Sequence, residues 1–285
     1  MTPATWETAA SFMGTDPDVL TDAQGTRHRP AEEPVRIVSL VPSLTELLCD
    51  LGLGNHVVGR TGFCVHPRDV VKGIPKVGGT KDVKIERIKE LAPTHLILNM
   101  DENEKPTAEK LARFIPHVIV THPKGPRDNP PLFRLFGAIF HREAEADALC
   151  AAFESAWQDL QQAAPPWPRE RVLYLIWKAP WMTISRDTYV SRFLASGGWD
   201  TFPENTAARY PRISLDPELV AEVDRVLLSS EPYSFRERHV EELGRVFPSR
   251  VGIHIVEGDM LSWYGSRAIS GLAYLRDLRQ ALLDQ

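Results

Sequence analysis

Two side chains that could bind a metal ion or act as a nucleophile lie two residues apart in the segment GFCVHP. Cys64 and His66 follow the aromatic Phe63, and thiolate sulfur and imidazole nitrogen are both ligands of transition metals. Two ligands do not complete a structural zinc site, which needs four. We therefore predict that Phe63, Cys64 and His66 line a ligand-binding cleft. The alternative is a metal- or cysteine-dependent enzyme, which a lowered pKa of the Cys64 thiol would support.

A second candidate group is the aromatic segment SWYGSR near the end of the chain. Trp263 and Tyr264 could stack on a flat macrocycle, although the same rings could cover an apolar interface. Gly265 and Ser266 interrupt the helical pattern beside them, which favours ligand contact. Trp181 and Met182, which follow the strand ending at Trp177 and the Ala179-Pro180 turn, occupy the matching place in the second half and have the same two alternatives.

Arginine side chains could hold a carboxylate or phosphate of a ligand through paired hydrogen bonds. The candidates are Arg186, Arg192, Arg209 and Arg267. Each alone is weak evidence, because arginines are common on solvated surfaces. Arg267 is the best of them, since it adjoins the aromatic segment.

These residues fall within a repeated pattern of strands and helices. RIVSLV predicts a strand, and HVVGR, THLIL and HVIVT predict three more, with a helix at 83–91 among them. Such alternation is typical of a mostly parallel sheet with helices on both faces. The pattern restarts with a strand at 171–177, a helix followed by a strand at 217–230, and a strand ending near Val256. Ser43 and Glu46 predict a capping box at the first helix, and Asp216 is predicted to cap the helix that starts at Pro217.

The segment from Asp128 to Ala164 separates the two halves. Its apolar residues recur at intervals of three and four, which predicts a single helix. At about 1.5 Å per residue, roughly 35 residues would span about 50 Å, more than one small lobe. We therefore predict two α/β lobes joined by one long backbone helix, with a cleft between them. The expected domains are an extension with a hairpin at 1–34, a lobe at 35–127, the helix at 128–165 and a lobe at 166–285.

Composition excludes several classes of protein. With 285 residues and 43% hydrophobic content, the chain can bury one large core or two moderate ones. A net charge of −5 argues against nucleic acid as a partner. The sequence shows neither an export signal nor a membrane span, and three cysteines without a CxxC motif suit a reducing compartment. We expect a soluble cytoplasmic protein, or a periplasmic one if the sequence is a shortened piece.

The chain resembles the cobalamin- and iron-chelate-binding family of substrate-binding proteins, whose two lobes are joined by a backbone helix. The resemblance begins near Asp22 and rests most on RIVSLVPSLTELLCDLGLGNHVVGRT, PKVGGTKDVKIERIKELAPTHLIL and SRAISGLAYLRDL. It implies two α/β lobes, a ligand held in the cleft, little closure on binding, and delivery to an ABC transporter.

The resemblance is strongest to the cobalamin-binding branch, and it implies site residues one at a time. Phe63 matches a cleft aromatic of that branch, Tyr210 in ARYPRIS matches a cleft tryptophan, and Asp259 in EGDMLSWYG matches a ligand-contacting aspartate. Glu86 and Asp216, at two repeat-related helix starts, match the acidic pair that docks on basic pockets of the transporter permease.

The resemblance therefore implies a binding protein, not an enzyme, with cobalamin or another corrinoid as its ligand and no catalytic cofactor or protein-held metal. The chain departs from the branch at Thr80 and Asn99, where tryptophans are expected, and in lacking an export signal. These departures keep another hypothesis open, in which the protein is a cytosolic carrier or sensor of haem, another tetrapyrrole or an iron chelate.

Overall fold

The computed structural model describes residue 6 and residues 20–204 and 208–283. The chain divides into two compact units, one comprising Met1–Pro123 and Asp128–Ala151 and the other Lys124–Arg127 and Ala152–Gln285. Each unit contains a four-stranded, fully parallel sheet with flanking helices. The predicted α/β class with two parallel-sheet units is thereby confirmed.

The first sheet has the strand order β2-β1-β3-β4. Its strands are β1 (Ile37–Ser39), β2 (Val57–Arg60), β3 (His95–Asn99) and β4 (His117–Thr121). The helices that accompany them are α1 (Pro42–Asp50), α2 (Arg68–Val71), α3 (Ile85–Glu90) and α4 (Lys105–Leu111). Every residue of β1 and β3 is buried, as expected for the central strands of a sheet covered on both faces. The helix α2 is a single turn.

The predicted capping box is absent. The helix α1 begins at Pro42, and its N-cap residue Val41 makes no capping hydrogen bond through its side chain. The hydroxyl of Ser43 is buried and has no hydrogen-bond partner within the described part of the chain. Pro42 starts the helix two residues earlier than predicted, because the N-cap is Val41 and not Ser43, and Ser43 therefore lies inside the first turn.

The hairpin predicted at TDAQGTRH is present and covers the outer edge of β4. Thr21 and Arg27 form an antiparallel bridge. The buried carboxylate of Asp22 accepts hydrogen bonds from the amides of Gln24 and Thr26, both at 2.9 Å, and of Val120 at 3.0 Å. Asp22 thus joins the turn to the sheet. Residues 1–5 and 7–19 of the predicted extension lie outside the described residues.

Substituting Asp22→Ala should therefore lower the free energy of unfolding by about 2–3 kcal/mol, because three amides lose their acceptor and at least one of them is buried. Urea denaturation followed by circular dichroism would measure the loss. Asp82→Ala, on an exposed loop of the same unit, should change it by less than about 0.5 kcal/mol. Equal stability of the two variants would contradict the role assigned to Asp22.

The segment predicted as one long backbone helix forms two helices, so that prediction is wrong. They are α5 (Asn129–Phe140) and α6 (Glu143–Ala163). His141 between them has a left-handed conformation with φ of 56°, and the amide of Arg142 donates to the carbonyl of Gly137 at 2.8 Å. These features close the end of α5. The apolar spacing continues across the break, which is why periodicity alone did not reveal it.

The second sheet repeats the first, with the order β6-β5-β7-β8. Its strands are β5 (Glu170–Leu175), β6 (Trp199–Thr201), β7 (Arg225–Ser229) and β8 (Gly252–Val256). The helices are α7 (Tyr189–Ser196), α8 (Pro217–Glu222), α9 (Glu237–Leu243), α10 (Gly258–Ser262) and α11 (Arg267–Leu283). Among the described residues, no helix is both long enough and apolar enough to cross a membrane.

A buried charge network, which we call the Glu170 network, lies at the amino-terminal edge of the second sheet. The carboxylate of Glu170 accepts from the indole of Trp199 at 2.7 Å, from Arg225 at 2.9 Å and from Arg279 at 2.6 Å. Arg225 also lies 2.9 Å from Nε2 of His254, so that nitrogen accepts and the imidazole is neutral. Burial and the Arg225 charge lower the pKa of His254, in agreement with that form.

Candidate functional site

The loop that follows β2 places three of the predicted site residues at the carboxyl edge of the first sheet, where parallel α/β sheets bind ligands. Phe63 is 63% exposed, an unusual state for a phenyl ring, and His66 is half-buried. Cys64, between them, is fully buried. The loop therefore exposes the aromatic ring of Phe63 and buries the thiol of Cys64.

The surroundings of Cys64 are those of a structural thiol. Its sulfur lies 3.1 Å from the hydroxyls of both Thr45 and Thr61. Burial raises the pKa of the Cys64 thiol, although hydrogen bonds with the two threonines act in the opposite direction. A raised pKa is the reverse of what a nucleophilic or metal-binding thiolate needs. In the described ranges, no group of three or more His, Cys, Asp and Glu side chains is arranged to hold a metal ion.

Asn103 is a residue of this edge that the sequence did not single out. Its side-chain oxygen accepts from the amide of Asn99 at 2.9 Å, and its side-chain nitrogen donates to the carbonyls of Leu40 at 3.3 Å and Thr80 at 2.9 Å. It therefore ties together the loops after β1 and β3 and the loop before α3. Thr80 and Asn99 are the two positions that depart from the cobalamin-binding branch, and both are held by this one side chain.

Four residues converge at the carboxyl edge of the second sheet, and we call them the Trp263 cluster. They are Glu231, which follows β7, and Asp259, Trp263 and Arg267 from the segment containing α10 and the start of α11. The indole of Trp263 donates to Glu231 at 2.6 Å. The guanidinium of Arg267 lies 5.4 Å from the centre of the Trp263 ring and 3.3 Å from the carboxylate of Asp259. The structure thus brings three predicted site residues into mutual contact.

Glu231 was not predicted, because the segment SSEPYS has only the features of a turn. Burial raises the pKa of Glu231, the nearby Asp259 raises it further, and the Trp263 hydrogen bond and the Arg267 charge lower it. The side chain passes close to Gly258, where a β-carbon would lie 2.8 Å from Cγ of Glu231 and would overlap the hydroxyl of Ser229. A glycine is required at that position for Glu231 to reach Trp263.

The segment with α10 is packed tightly on α11. A β-carbon at Gly271 would overlap the carbonyl oxygen of Met260, and it would lie 3.2 Å from the ring of Phe193. Only glycine allows this approach. The contact fixes α10 against α11, and with it the segment that carries Asp259, Trp263 and Arg267.

Aromatic side chains form a second group at the same edge. Trp181 stacks on Phe235 with ring centres 6.2 Å apart, and Nζ of Lys178 lies 5.3 Å from the centre of the Trp181 ring. Trp177, which the sequence did not select, is 40% exposed and contacts Tyr233 edge to face at 5.5 Å. The sequence signal for Trp177 is the segment WKAPWM, which has a tryptophan on each side of Pro180. Of these two tryptophans, only Trp181 was predicted to contact a ligand.

Tyr264 and Tyr210 differ in their surroundings. Tyr264 is buried, with its ring edge to face against Tyr189 at 5.6 Å, so it packs inside the unit. Tyr210, in the loop between β6 and α8, is 40% exposed. Ligand contact by either residue stays a prediction, and an exposed ring is the better placed of the two to make it.

The two acidic residues expected to dock on a transporter both lie on the surface at helix starts. Glu86, in the first turn of α3, has a side chain 79% exposed and forms an ion pair with Lys89 at 2.7 Å. Asp216 is exposed and caps α8 by accepting from the amide of Leu219 at 2.9 Å, as the sequence predicted. Each helix precedes the third strand of its own unit. Their docking role stays a prediction.

The four arginines selected from the sequence all pair with carboxylates of their own unit. Arg186 pairs with Glu204, Arg192 and Arg209 pair with Asp187, and Arg267 pairs with Asp259. The first three pairs are largely exposed and contribute little to stability. The pair of Arg267 and Asp259 is more enclosed, with side chains only 12% and 20% exposed.

Comparison with known proteins places these features in a family. Residues 37–234 match the family model described as periplasmic binding protein. The chain is 22% identical to the vitamin B12-binding protein of Pectobacterium atrosepticum over 68% of this chain and 71% of that protein.

Solved structures show the same fold. The structure is similar to that of the periplasmic vitamin B12-binding protein BtuF of Vibrio cholerae, with a TM-score of 0.74, 18% identity, and coverage of 88% of this chain and 98% of that one. It is similar also to the periplasmic heme-binding protein RhuT of Roseiflexus sp. RS-1, with a TM-score of 0.71, 22% identity and the same coverage.

Proposed function

The chain belongs to the periplasmic binding protein family, and on that basis we propose that it binds a metal chelate, a corrinoid such as cobalamin, through loops at the carboxyl edges of its sheets. The predicted family is thus confirmed, and the ligand is the proposal. Relatives named as vitamin B12-binding proteins support the choice of a corrinoid.

One observation carries the proposal. Among the residues that the structure describes, three aromatic side chains are exposed, namely Phe63, Trp177 and Tyr210, and all three lie in loops that leave the carboxyl ends of strands. Exposed aromatic rings in loops of this kind support ligand binding at these edges. Flat aromatic faces suit the face of a macrocycle, which would be held by apolar burial and stacking, while a few polar groups fix its orientation.

The second candidate ligand is haem or another iron chelate. His66 favours it, because a half-buried imidazole beside an exposed aromatic ring is a suitable axial ligand of haem iron. The similarity to a protein named as heme-binding supports the same alternative. Haem is also a flat macrocycle and would stack on aromatic side chains as a corrinoid would.

We propose binding without catalysis. The raised pKa of Cys64 weighs against the enzyme that the sequence left as an alternative. We further propose that Glu86 and Asp216 dock the protein on an ABC transporter permease, which their exposed positions at equivalent helices support.

Titrating cyanocobalamin or haemin into the purified protein should perturb the visible spectrum of the ligand. Tyr210→Ala and Trp263→Ala should each weaken binding by about tenfold, because each removes an aromatic face at the carboxyl edge of the second sheet. Val246→Ala removes an exposed apolar side chain in the loop that precedes β8, at the opposite edge, and should leave binding unchanged. Flat titrations with corrinoids, haem and ferric siderophores would refute the proposed function.

A further inference from the structure

We propose that the second unit selects a chelate whose periphery carries amide or hydroxyl groups and disfavours one that carries free carboxylates, and that Glu231 and Asp259 determine this specificity. The inference rests on the proposed function and narrows the class of ligand. It goes beyond aromatic stacking, which corrinoids and porphyrins share and which does not distinguish them.

The charges of the Trp263 cluster carry the inference. Two carboxylates, Glu231 and Asp259, accompany one guanidinium, that of Arg267. Arg267 is already paired with Asp259 at 3.3 Å, and both side chains are mostly enclosed. A ligand carboxylate that competed for this guanidinium would weaken or break its pairing with Asp259 and would bring a third carboxylate to the cluster. Breaking an enclosed ion pair in this way disfavours the binding of an anion.

The indole of Trp263 is engaged as well. Its N–H donates to Glu231 at 2.6 Å and so is not available to a carboxylate of the ligand. An ionised carboxylate accepts hydrogen bonds and donates none. Glu231 and Asp259 therefore suit the N–H groups of a primary amide or the O–H group of a hydroxyl. Burial and the neighbouring Asp259 both raise the pKa of Glu231, in agreement with a site where a further negative charge is disfavoured.

The remaining arginines selected from the sequence do not reverse this balance. Arg186, Arg192 and Arg209 each lie within 2.8 Å of a carboxylate of their own unit. Binding sites commonly reject a wrong ligand by placing a like charge opposite one of its charged groups. The repulsion lowers the affinity for that ligand by several kcal/mol.

The test compares pairs of ligands that share a macrocycle and differ in whether its peripheral carboxyl groups are free or neutralised. Haemin carries two propionates, and haemin dimethyl ester carries the same ring with both of them neutralised. Dicyanocobinamide and dicyanocobyrinic acid form the matching corrin pair, with amides in one and carboxylates in the other. Absorbance titration of the full chain should show binding at least about tenfold tighter for the neutral member of whichever pair binds.

Variants assign the effect to the two residues. Glu231→Gln keeps an acceptor for the indole of Trp263, and Asp259→Asn keeps the shape of the side chain. Each should reduce the preference for the neutral ligand by about fivefold or more, chiefly by improving binding of the carboxylate form. Glu241→Gln, on the exposed face of α9, changes the net charge equally and should leave the preference intact. Thermal denaturation would establish that the variants fold.

The outcomes separate the two proposals. If no member of either pair binds, the proposed function fails, and with it this inference. If a macrocycle binds but its neutral and carboxylate forms bind equally well, the specificity inference alone is overturned. A preference that survives in both Glu231→Gln and Asp259→Asn would also overturn the assignment to these residues.

Discussion

Replacing Glu170 by glutamine is expected to lower the free energy of unfolding by about 3–5 kcal/mol, the largest effect on stability that we predict for a single substitution of similar shape. Glutamine still accepts the indole hydrogen bond of Trp199. It carries no charge, however, and so leaves Arg225 and Arg279 facing one another without their shared carboxylate. Arg279 is fully buried and cannot turn to solvent.

The difference in the free energy of unfolding between wild type and Glu170→Gln should also depend on pH. Burial would raise the pKa of Glu170, but hydrogen bonds from Arg225 and Trp199 and the charges of both arginines hold it below its ordinary value of 4.5. A carboxylate with a lowered pKa stabilises the folded state above its unfolded pKa, and this contribution is lost as the pH falls through the folded value. The difference between wild type and Glu170→Gln should therefore be complete at pH 7 and shrink below about pH 4.

Urea denaturation at pH 7 and pH 3.5, followed by tryptophan fluorescence, would measure both effects. The matched control is Asp200→Asn, which removes the partner of Arg169 at the same edge of the sheet. Because that pair is more exposed, the loss should be below about 1 kcal/mol. If the two variants lost the same stability, the Glu170 network would have no special role.

The largest effect on binding is expected for Phe63→Ala, which should weaken the affinity for the chelate by about tenfold to a hundredfold. The substitution removes a ring that is 63% exposed and contributes little to the folded core, so the free energy of unfolding should change by less than about 0.5 kcal/mol. Phe63→Trp keeps an aromatic face and should retain most of the affinity.

Val65→Ala provides the matched control for Phe63→Ala. Val65 lies in the same loop and is 49% exposed, but it has no flat face to stack on a macrocycle. Its loss should reduce affinity by no more than about threefold. Isothermal titration with cyanocobalamin would compare the variants, and equal weakening by Phe63→Ala and Val65→Ala would argue against stacking at this loop.

Seven of the eight strands in the described part of the chain could be predicted from the sequence because their signals are local, whereas β6, with only three residues, was missed. Short apolar runs such as THLIL and RVLYLIW mark strands covered on both faces, and the second sheet repeats the strand order of the first. The capping of α8 by Asp216 depends only on residues three apart, and it was predicted correctly. The same local rule predicted Ser43 as an N-cap, and that prediction was wrong because the helix begins at Pro42, two residues earlier than expected.

The features that were missed depend on contacts between distant residues. Glu231 acts through Trp263, 32 positions away, and Glu170 through Arg279, 109 positions away. No periodic pattern connects such pairs. The break at His141 is a further case, because a left-handed histidine has no distinctive signal when apolar residues continue at helical spacing on both sides.

The glycine contact between α10 and α11 has a consequence for recognition. Since the carbonyl of Met260 leaves no room for a β-carbon at Gly271, the segment carrying Asp259, Trp263 and Arg267 acquires its arrangement as the chain folds. The conformational entropy of ordering that backbone segment is lost on folding and not on ligand binding. The proposed ligand would therefore meet a backbone that is already arranged, and less of its binding free energy would be spent on ordering the protein.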